Sequence, residues 1–213
     1  MLKKTIILTT FALSSAVFSA TSLASEAKLK QFFKEVTSFQ ANFEQRVLDE
    51  TGKTLDTKTG VFSFLRPGKF RWNYASTDEY EPVGQQIISD GQLITFYEPD
   101  LDTANQRRMS DAISQVPTLL LVQDGTNLET HFTVIDYGKI DGLTWVSLKP
   151  KNTDSGYQSL MVGFKQSQLS ALVMTDALGN ETRLELSDVV TNTALNDDLF
   201  VFKPADTTDV VGG

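Results

Sequence analysis

The sequence contains no cysteine and only one histidine, His131. The first absence excludes disulfides and cysteine nucleophiles, and it also excludes lipid attachment through a cysteine that follows a signal sequence. With a single histidine and no thiol, the usual zinc sites are excluded as well. His131 is predicted on a strand without a paired serine or cysteine nucleophile motif, so a local hydrogen bond accounts for it better than catalysis does.

Two other kinds of site are missing from the sequence. No glycine-rich phosphate loop occurs. Asp100 and Asp102 lie close together, but they lack the glycine and the distal glutamate of a calcium loop, so we interpret them as solvated turn residues. The sequence therefore gives no positive support to an enzyme, and it predicts neither a cofactor nor a metal.

Long apolar runs are scarce, and the one near the N-terminus predicts a secretory signal peptide over residues 1–24. Lys3 and Lys4 precede an apolar stretch at 6–18 that is too short to span a membrane, and small residues end at Ala24. Removing 24 of the 213 residues leaves 189, which is enough for one domain without disulfides. We expect a single domain over 25–213 with a short flexible C-terminal tail, in the periplasm of a Gram-negative bacterium.

Basic residues are outnumbered, because 19 Lys and Arg stand against 27 Asp and Glu for a net charge of −8. Losing the two lysines of the signal peptide brings the net charge from −8 to −10. An acidic surface argues against nucleic acid as a partner and against binding to anionic lipid. We favour the simpler interpretation that the charge only keeps the protein in solution.

Alternation of apolar and polar residues at period two dominates the rest of the chain. A first helix is predicted from Ser25 with Leu29, Phe32 and Phe33 on its apolar stripe, and the period changes to two at Phe39. Strands are predicted at 39–48, 54–65, 69–75, 84–90, 92–98, 130–137, 143–149, 157–165, 168–175, 181–190 and 199–203. About eleven short strands in hairpin order predict a mainly β fold with a few helices, with the sheet closed into a barrel or strongly curved.

Residues 110–125 interrupt the strand pattern. Pro117 is suited to open a short helix, and four consecutive apolar residues begin at Leu119. At about 100° per residue, four such side chains cover most of the circumference of a helix, so the helix must be buried or must face an apolar surface. Val116, Leu119 and Leu120 are candidates for its inner side, and periodicity alone does not decide among them.

Aromatic residues are abundant, with 14 Phe, 2 Trp and 5 Tyr, and many lie in the predicted hairpin FSFLRPGKFRWNY at 62–74. For any single ring, ordinary core packing is the simpler explanation. Taken together, the rings and the apolar helix indicate a curved sheet that encloses an apolar cavity. The predicted cavity residues are Phe62, Phe64, Phe70, Trp72, Tyr74 and Phe96 from the strands, and Leu29, Phe32 and Phe33 from the first helix.

Several stretches together resemble the LolA family of outer-membrane lipoprotein carriers. They are RPGKFRWNY, IISDGQLITFYEPDLDTANQRR, the apolar helix PTLLLV, the entry LKQFFKEVTSFQANFEQRV and the terminal LFVFKP. The resemblance covers residues 25 to about 204. One departure is the segment 76–85, which is longer than is usual in the family and puts the register of the strands on either side of it in doubt.

The resemblance implies an unclosed antiparallel β-barrel with a helical lid that carries triacylated lipoproteins. In this family the cargo comes from an inner-membrane LolCDE-type ABC transporter and passes to a LolB-type outer-membrane receptor. It also implies that Arg66 is a latch, whose guanidinium binds carbonyls of the lid while the carrier is empty. The lid corresponds to Val116, Pro117, Leu119, Leu120 and Leu121. We expect a monomer without stable membrane insertion.

Two alternatives remain open at this point. One is a periplasmic module of the same fold that senses a lipid or a partner, and a second domain or a regulator-binding tail would favour it. The other is a lipid hydrolase, which would need a nucleophile paired with a base, and His131 is the only histidine available.

Overall fold

The computed structural model describes residues 22–77, 83–112, 117–126, 128–152 and 155–212. Most of the predicted signal peptide, and part of the segment 76–85, lie outside these residues. The first described helix, α1 (Ser22–Glu35), begins before the predicted cleavage site. Ser25, from which the helix was predicted, therefore lies inside it.

One sheet of 12 strands organises the described part of the chain, in the order β12-β6-β5-β4-β3-β2-β1-β11-β10-β9-β8-β7. The strands are β1 (Ser38–Leu48), β2 (Thr54–Leu65), β3 (Lys69–Tyr74), β4 (Gln86–Asp90), β5 (Leu93–Glu98), β6 (Thr103–Arg108), β7 (Phe132–Ile140), β8 (Leu143–Pro150), β9 (Tyr157–Lys165), β10 (Gln168–Asp176), β11 (Glu181–Thr191) and β12 (Asp209–Gly212). The remaining elements are the short helices α2 (Met109–Ala112) and α3 (Leu128–His131) and the 3-10 helices Pro99–Leu101, Pro117–Val122 and Asp197–Phe200.

Neighbouring strands of the sheet are antiparallel, except that β12 runs parallel to β6. The sheet begins at β12 and ends at β7, and these two strands do not pair with each other within the described residues. The prediction of a mainly β fold with an unclosed antiparallel sheet is therefore confirmed. Ten of the eleven predicted strands are present with modest shifts at their ends.

The C-terminal part of the chain differs from the prediction. The strand predicted at 199–203 is wrong, because residues Asp197–Phe200 form a 3-10 helix in which the Asn196 side chain accepts a hydrogen bond from the Asp198 amide. Strand β12 lies in the tail for which the sequence predicted no ordered structure. Strand β6 was also missed, since Ala104 is its one fully buried residue and its polar sequence shows no alternation.

The inner face of the sheet collects the aromatic side chains of β1, β2 and β3. Phe62 lies opposite Trp72, and Phe64 lies opposite Phe70, so the alternation of the hairpin places these four rings on one face. Phe39 of β1 lies opposite Phe64 on the same face. These rings, helix α1 and the 3-10 helix Pro117–Val122 belong to one buried cluster.

The outer face of β3–β6 is covered by the C-terminal segment. The helix Asp197–Phe200 packs on β3 and β4, where Phe200 and Ile88 are fully buried. Further along, the rings of Tyr97 and Phe202 have centroids 5.3 Å apart. Strand β12 then pairs with β6, so that the chain end covers an edge of the sheet that would otherwise be open.

Candidate functional site

The predicted cavity residues form one aromatic cluster on the inner face of the sheet. The rings of Phe62 and Trp72 have centroids 4.3 Å apart, and Phe32 of α1 contacts the Phe64 ring edge-on at 6.2 Å. Six of the nine predicted residues are buried in this cluster, namely Leu29, Phe32, Phe62, Phe64, Phe70 and Trp72. The other three, Phe33, Tyr74 and Phe96, pack against it and stay partly exposed.

Two further rings of β1 belong to this cluster, although the sequence analysis did not assign them to the site. Phe39 stacks on Phe64 at 5.2 Å with an interplanar angle of 4°. Phe43 contacts Trp72 at 5.1 Å and Tyr74 at 5.3 Å. The alternation of Phe39 and Phe43 with polar residues was the signal that could have placed them on the inner face beside the hairpin.

The predicted lid lies over this cluster. Its described part is the 3-10 helix Pro117–Val122, which Pro117 begins as expected. Leu120, Leu121 and Val122 are buried in the aromatic cluster. Val116, and the side chains of Pro117 and Leu119, lie outside the described residues. The three described apolar residues are therefore buried, as the sequence analysis required of this helix.

Arg66 connects the hairpin to both elements that cover the cluster. Its Nη2 donates to the Leu121 carbonyl of the lid at 2.7 Å. Its Nη1 donates to carbonyls at the end of α1, with Phe32 at 3.1 Å, Phe33 at 3.4 Å and Val36 closest. These carbonyls lie in the last turn of the helix and beyond it, where intrahelical donors run out. A single guanidinium therefore holds the lid and α1 to the same point of the sheet.

Besides those carbonyls, aromatic rings surround the Arg66 guanidinium. Its guanidinium carbon lies 4.7 Å from the ring centroid of Phe32, 5.1 Å from that of Phe33 and 4.9 Å from that of Phe64. Burial lowers the pKa of Arg66 to about 10, while the charge of nearby Asp124 opposes this shift. The guanidinium therefore remains a cation at neutral pH, and cation–π contacts replace part of its lost hydration.

The turn of the hairpin makes a second link to the lid. The amide of Gly68 donates to the Val122 carbonyl at 3.0 Å. Gly68 has a φ of +76°, and a side chain there would approach the Gly91 backbone to 3.3 Å. Both the dihedral angle and the close approach favour glycine at this position.

Asn192 fixes the end of α1 and was missed by the sequence analysis. Its Nδ2 donates to the Glu35 carbonyl at 2.9 Å, and its Oδ1 accepts from the Thr37 amide at 2.9 Å. Asn192 itself has a φ of +58°, a left-handed conformation that asparagine tolerates better than most residues. It is 155 positions from Thr37 along the chain, so no local sequence pattern points to the contact.

A groove of about 610 Å³ opens beside the closed cluster, between α1 and residues 124–134. Leu29, Phe33, Leu128 and Val134 form its apolar side. Lys30 crosses the groove, because it pairs with Glu26 of its own helix at 2.7 Å and with Glu129 of α3 at 3.0 Å. The groove therefore joins the edge of the aromatic cluster to solvent through a charged rim.

An open antiparallel sheet whose aromatic inner face is covered by a helix and a short lid defines a class of protein that shelters apolar groups from water. The family model of the outer membrane lipoprotein carrier protein LolA matches residues 34–203. The chain belongs to this family.

Relatives agree with this assignment, and a solved structure shares the fold. The chain is 34% identical to an outer-membrane lipoprotein carrier protein of Methylococcus capsulatus over 185 residues, which are 87% of this chain and 86% of the relative. It is 36% identical to a protein of the same name from Methylobacillus flagellatus over 184 residues, 86% of this chain and 87% of the relative. An uncharacterized conserved protein from Thermus thermophilus has the same fold, with a TM-score of 0.54 at 11% identity over 88% of this chain and 98% of the other. Among the described helices, none has the length and apolar character needed to cross a membrane.

Proposed function

We propose that this protein carries triacylated lipoproteins through the periplasm of a Gram-negative bacterium. It accepts them from an inner-membrane LolCDE-type ABC transporter and delivers them to a LolB-type receptor in the outer membrane. The observation that carries the proposal is the Arg66 guanidinium, which ties the lid and α1 over an inner face made of aromatic rings. Membership of the lipoprotein carrier family supports the same cargo.

The acyl chains of the cargo have a large free-energy cost when they are exposed to water. Each methylene costs about 0.8 kcal/mol to expose to water, so a chain of about 16 carbons costs on the order of 12 kcal/mol. Surface hydrogen bonds do not offset a cost of this size, because each contributes only about 1 kcal/mol net. Only an apolar surface that is kept away from water does so, and the aromatic inner face provides it.

The inner face must open before it accepts a chain, since the lid residues are buried against it. Exposing Leu120, Leu121 and Val122 costs on the order of 5–9 kcal/mol at about 1.5–3 kcal/mol for each side chain. Burial of one acyl chain therefore exceeds the cost of opening the lid, and three chains exceed it by far. A carrier loaded in this way does not release its cargo into water, so delivery requires direct contact with a receptor that offers another apolar site.

Arg66 lowers the free energy of the closed, empty state relative to that of the loaded state. Charge-assisted hydrogen bonds contribute about 1.5–3 kcal/mol each, and Arg66 reaches both Leu121 and the end of α1. Cargo entry separates these elements and gives up the bonds, which lowers the net free energy of loading. Closure after delivery restores them and favours release, so Arg66 acts as a latch of the empty carrier.

Two experiments test the carrier function. The mature protein is purified from the periplasm and examined by mass spectrometry for bound triacylated lipoprotein, and it is then incubated with inner-membrane vesicles that contain newly made lipoproteins. We expect co-purified cargo and ATP-dependent transfer of lipoproteins from the vesicles to the protein. Absence of lipoprotein in both assays would contradict the proposal, while a bound lipid without a protein part would favour a sensor of the same fold.

A further inference from the structure

Trp72 carries a buried hydrogen-bond donor that is not used. The side chain is 6% exposed, and its Nε1 is buried without a hydrogen-bond partner in the part of the chain that the structure describes. Its ring packs among Phe43, Phe62 and Tyr74, whose faces and edges are mostly carbon. Buried polar groups in native proteins are almost always paired, so an indole N–H that is unpaired among the described residues is suited to an acceptor that a ligand brings.

The indole N–H of the second tryptophan, Trp145, is hydrogen-bonded. Trp145 of β8 lies opposite Gly163 of β9, and the Gly163 position leaves room for its ring. The Trp145 Nε1 donates to the Ile140 carbonyl at 3.3 Å. The fold therefore provides an acceptor for one indole and leaves the other without one, and the unpaired indole is the one in the aromatic cluster.

The position of Trp72 within the cluster indicates which part of a ligand it meets. Phe62 and Phe64 on one side of it are fully buried. On the other side Tyr74 and Phe96 are only partly buried and approach solvent. An acylated glyceryl group that enters from the exposed side would place its hydrocarbon against the fully buried rings and its ester groups at the level of Trp72.

We propose that the Trp72 indole N–H donates a hydrogen bond to an ester carbonyl of the acyl–glyceryl group of the cargo. This inference rests on the proposed function, because it assumes that the inner face binds acyl chains. An ester carbonyl is a neutral acceptor, which suits a site whose walls are aromatic carbon. The bond would distinguish acylated glycerol from a bare hydrocarbon of the same length.

The test compares two ligands by ¹H–¹⁵N NMR of the indole groups, of which the chain has two. One ligand is a synthetic triacylated lipopeptide, and the other is the same lipopeptide with both ester links replaced by ethers. We expect the ester ligand to shift the Trp72 indole proton downfield, the ether ligand to leave it without this shift, and Trp145 to respond to neither. Identical Trp72 spectra with both bound ligands would overturn the inference.

Affinities of variants give a second measurement. Trp72→Phe removes the donor and keeps an aromatic ring, and the loss of one neutral hydrogen bond predicts roughly three- to tenfold weaker binding of the ester ligand. The ether ligand should then bind wild type and Trp72→Phe with closely similar affinity, and Trp145→Phe should match wild type with both. An isosteric tryptophan analogue without the N–H, placed at position 72, repeats the test without loss of volume.

The outcomes separate this inference from the proposed function. If wild type binds neither ligand, the carrier function itself fails. If wild type binds both and Trp72→Phe weakens them equally, the carrier function stands and the ring contributes only packing, so the hydrogen bond is refuted. Thermal melts of both tryptophan variants confirm that the proteins compared are folded.

Discussion

Two arginines of one hairpin, Arg66 and Arg71, bind main-chain carbonyls of short 3-10 helices on opposite faces of the sheet. On the inner face Arg66 donates to the Leu121 carbonyl of the lid at 2.7 Å. On the outer face Arg71 donates to the Leu199 carbonyl of the C-terminal helix at 3.1 Å. Burial lowers the pKa of both guanidinium groups. A hydrogen bond from an arginine to a main-chain carbonyl therefore links a 3-10 helix to each face of the sheet.

The remaining partners of the two guanidinium groups differ. Arg71 also donates to Asn73 Oδ1 and Gln86 Oε1, both at 2.8 Å, and these acceptors belong to β3 and to the neighbouring β4. Within the described residues, the acceptors of Arg66 are main-chain carbonyls of α1, of Val36 after it and of the lid, and its Nε is buried without a partner. Two acceptors of Arg71 thus belong to the sheet itself, whereas the described acceptors of Arg66 lie outside the sheet, at α1 and in the lid.

This difference explains why only the Arg66 contact is suited to control opening of the lid. If the C-terminal helix moved, Arg71 would keep two of its three acceptors. If the lid and α1 moved, Arg66 would lose its described acceptors together and would require new ones from water or from cargo. The contact at Arg66 therefore couples two elements, and under the proposed function this coupling would give the empty carrier a distinct closed state.

The largest effect is expected for Arg66→Leu. This variant keeps apolar volume and removes the hydrogen bonds by which the guanidinium joins the lid to α1, so nothing at this position ties the two elements together in the empty protein. We expect it to accept lipoprotein from inner-membrane vesicles and to pass it to the receptor at least about tenfold more slowly than wild type. Transfer is measured as radiolabelled lipoprotein bound to the receptor over time.

Arg71→Leu is the matched control, because it removes the corresponding contact on the outer face of the same hairpin. Its transfer rate should stay within about twofold of wild type. Equal defects in the two variants would show that disruption of the hairpin, and not the latch, slows transfer. Normal transfer by Arg66→Leu would refute the role of Arg66 directly.

Arg66→Lys sharpens the same comparison with a smaller change. Lysine keeps the charge but presents one compact ammonium in place of a planar fork, so it reaches the lid or the end of α1 and does not span both. We expect a transfer defect between those of wild type and Arg66→Leu. A rate equal to wild type would show that charge alone, without the fork geometry, is sufficient.

We expect the loss of thermal stability to be larger for Arg71→Leu than for Arg66→Leu, which is the opposite of the order expected for the transfer rates. Arg71→Leu leaves Gln86, Asn73 and the Leu199 carbonyl without their donor, which costs about 1–2 kcal/mol and lowers Tm by roughly 3–6 °C in a domain of this size. Arg66→Leu exchanges a buried cation for an apolar side chain and should change Tm by less, because the removed desolvation cost offsets the lost bonds. Calorimetry of both variants checks the order, and a larger loss for Arg66→Leu would contradict it.

The smallest effect concerns the C-terminal segment and its pH dependence. Hydrogen bonds from Thr207, Thr208 and Tyr97 lower the pKa of Asp102 below its ordinary value of 3.8. Because the folded pKa is the lower one, the contact stabilises the docked segment above about pH 4 and is lost as the pH falls through the folded pKa. Hydrogen exchange at 209–212, corrected for intrinsic rates, should rise in acid in wild type. Asp102→Ala should exchange faster at neutral pH and show a weaker pH response, and identical profiles would refute the role of Asp102.

The sequence was sufficient for the parts of the fold that depend on local periodicity. The alternation of Phe62, Phe64, Phe70 and Trp72 predicted the hairpin and its buried face, because side chains in a strand alternate between two faces. Strand β6 was missed because pairing of its backbone, and not burial of its side chains, holds it in the sheet. The same limit applies to the tail, whose strand β12 exists only because β6 offers an open edge.

The candidate site was also predicted from the sequence only in part. The aromatic walls of the site were predicted from residue types. The proposed role of Arg66 came from the family resemblance. Its acceptors are main-chain carbonyls, and since every residue has one, the sequence does not identify them. Asn192 was missed because its partners Glu35 and Thr37 lie at the other end of the chain. The unpaired donor of Trp72 was invisible for a different reason, because a missing partner is known only once the neighbours are placed.

The central claim is that cargo opens the lid by displacing Arg66, and a distance between spin labels tests it most directly. The chain has no native cysteine, so labelled cysteines at the exposed positions Thr126 and Lys165 are the only ones present. We predict one short distance distribution for the empty protein, a longer one with bound triacylated lipopeptide, and a population at the longer distance in empty Arg66→Leu. A single distribution that neither lipopeptide nor Arg66→Leu changes would contradict the account.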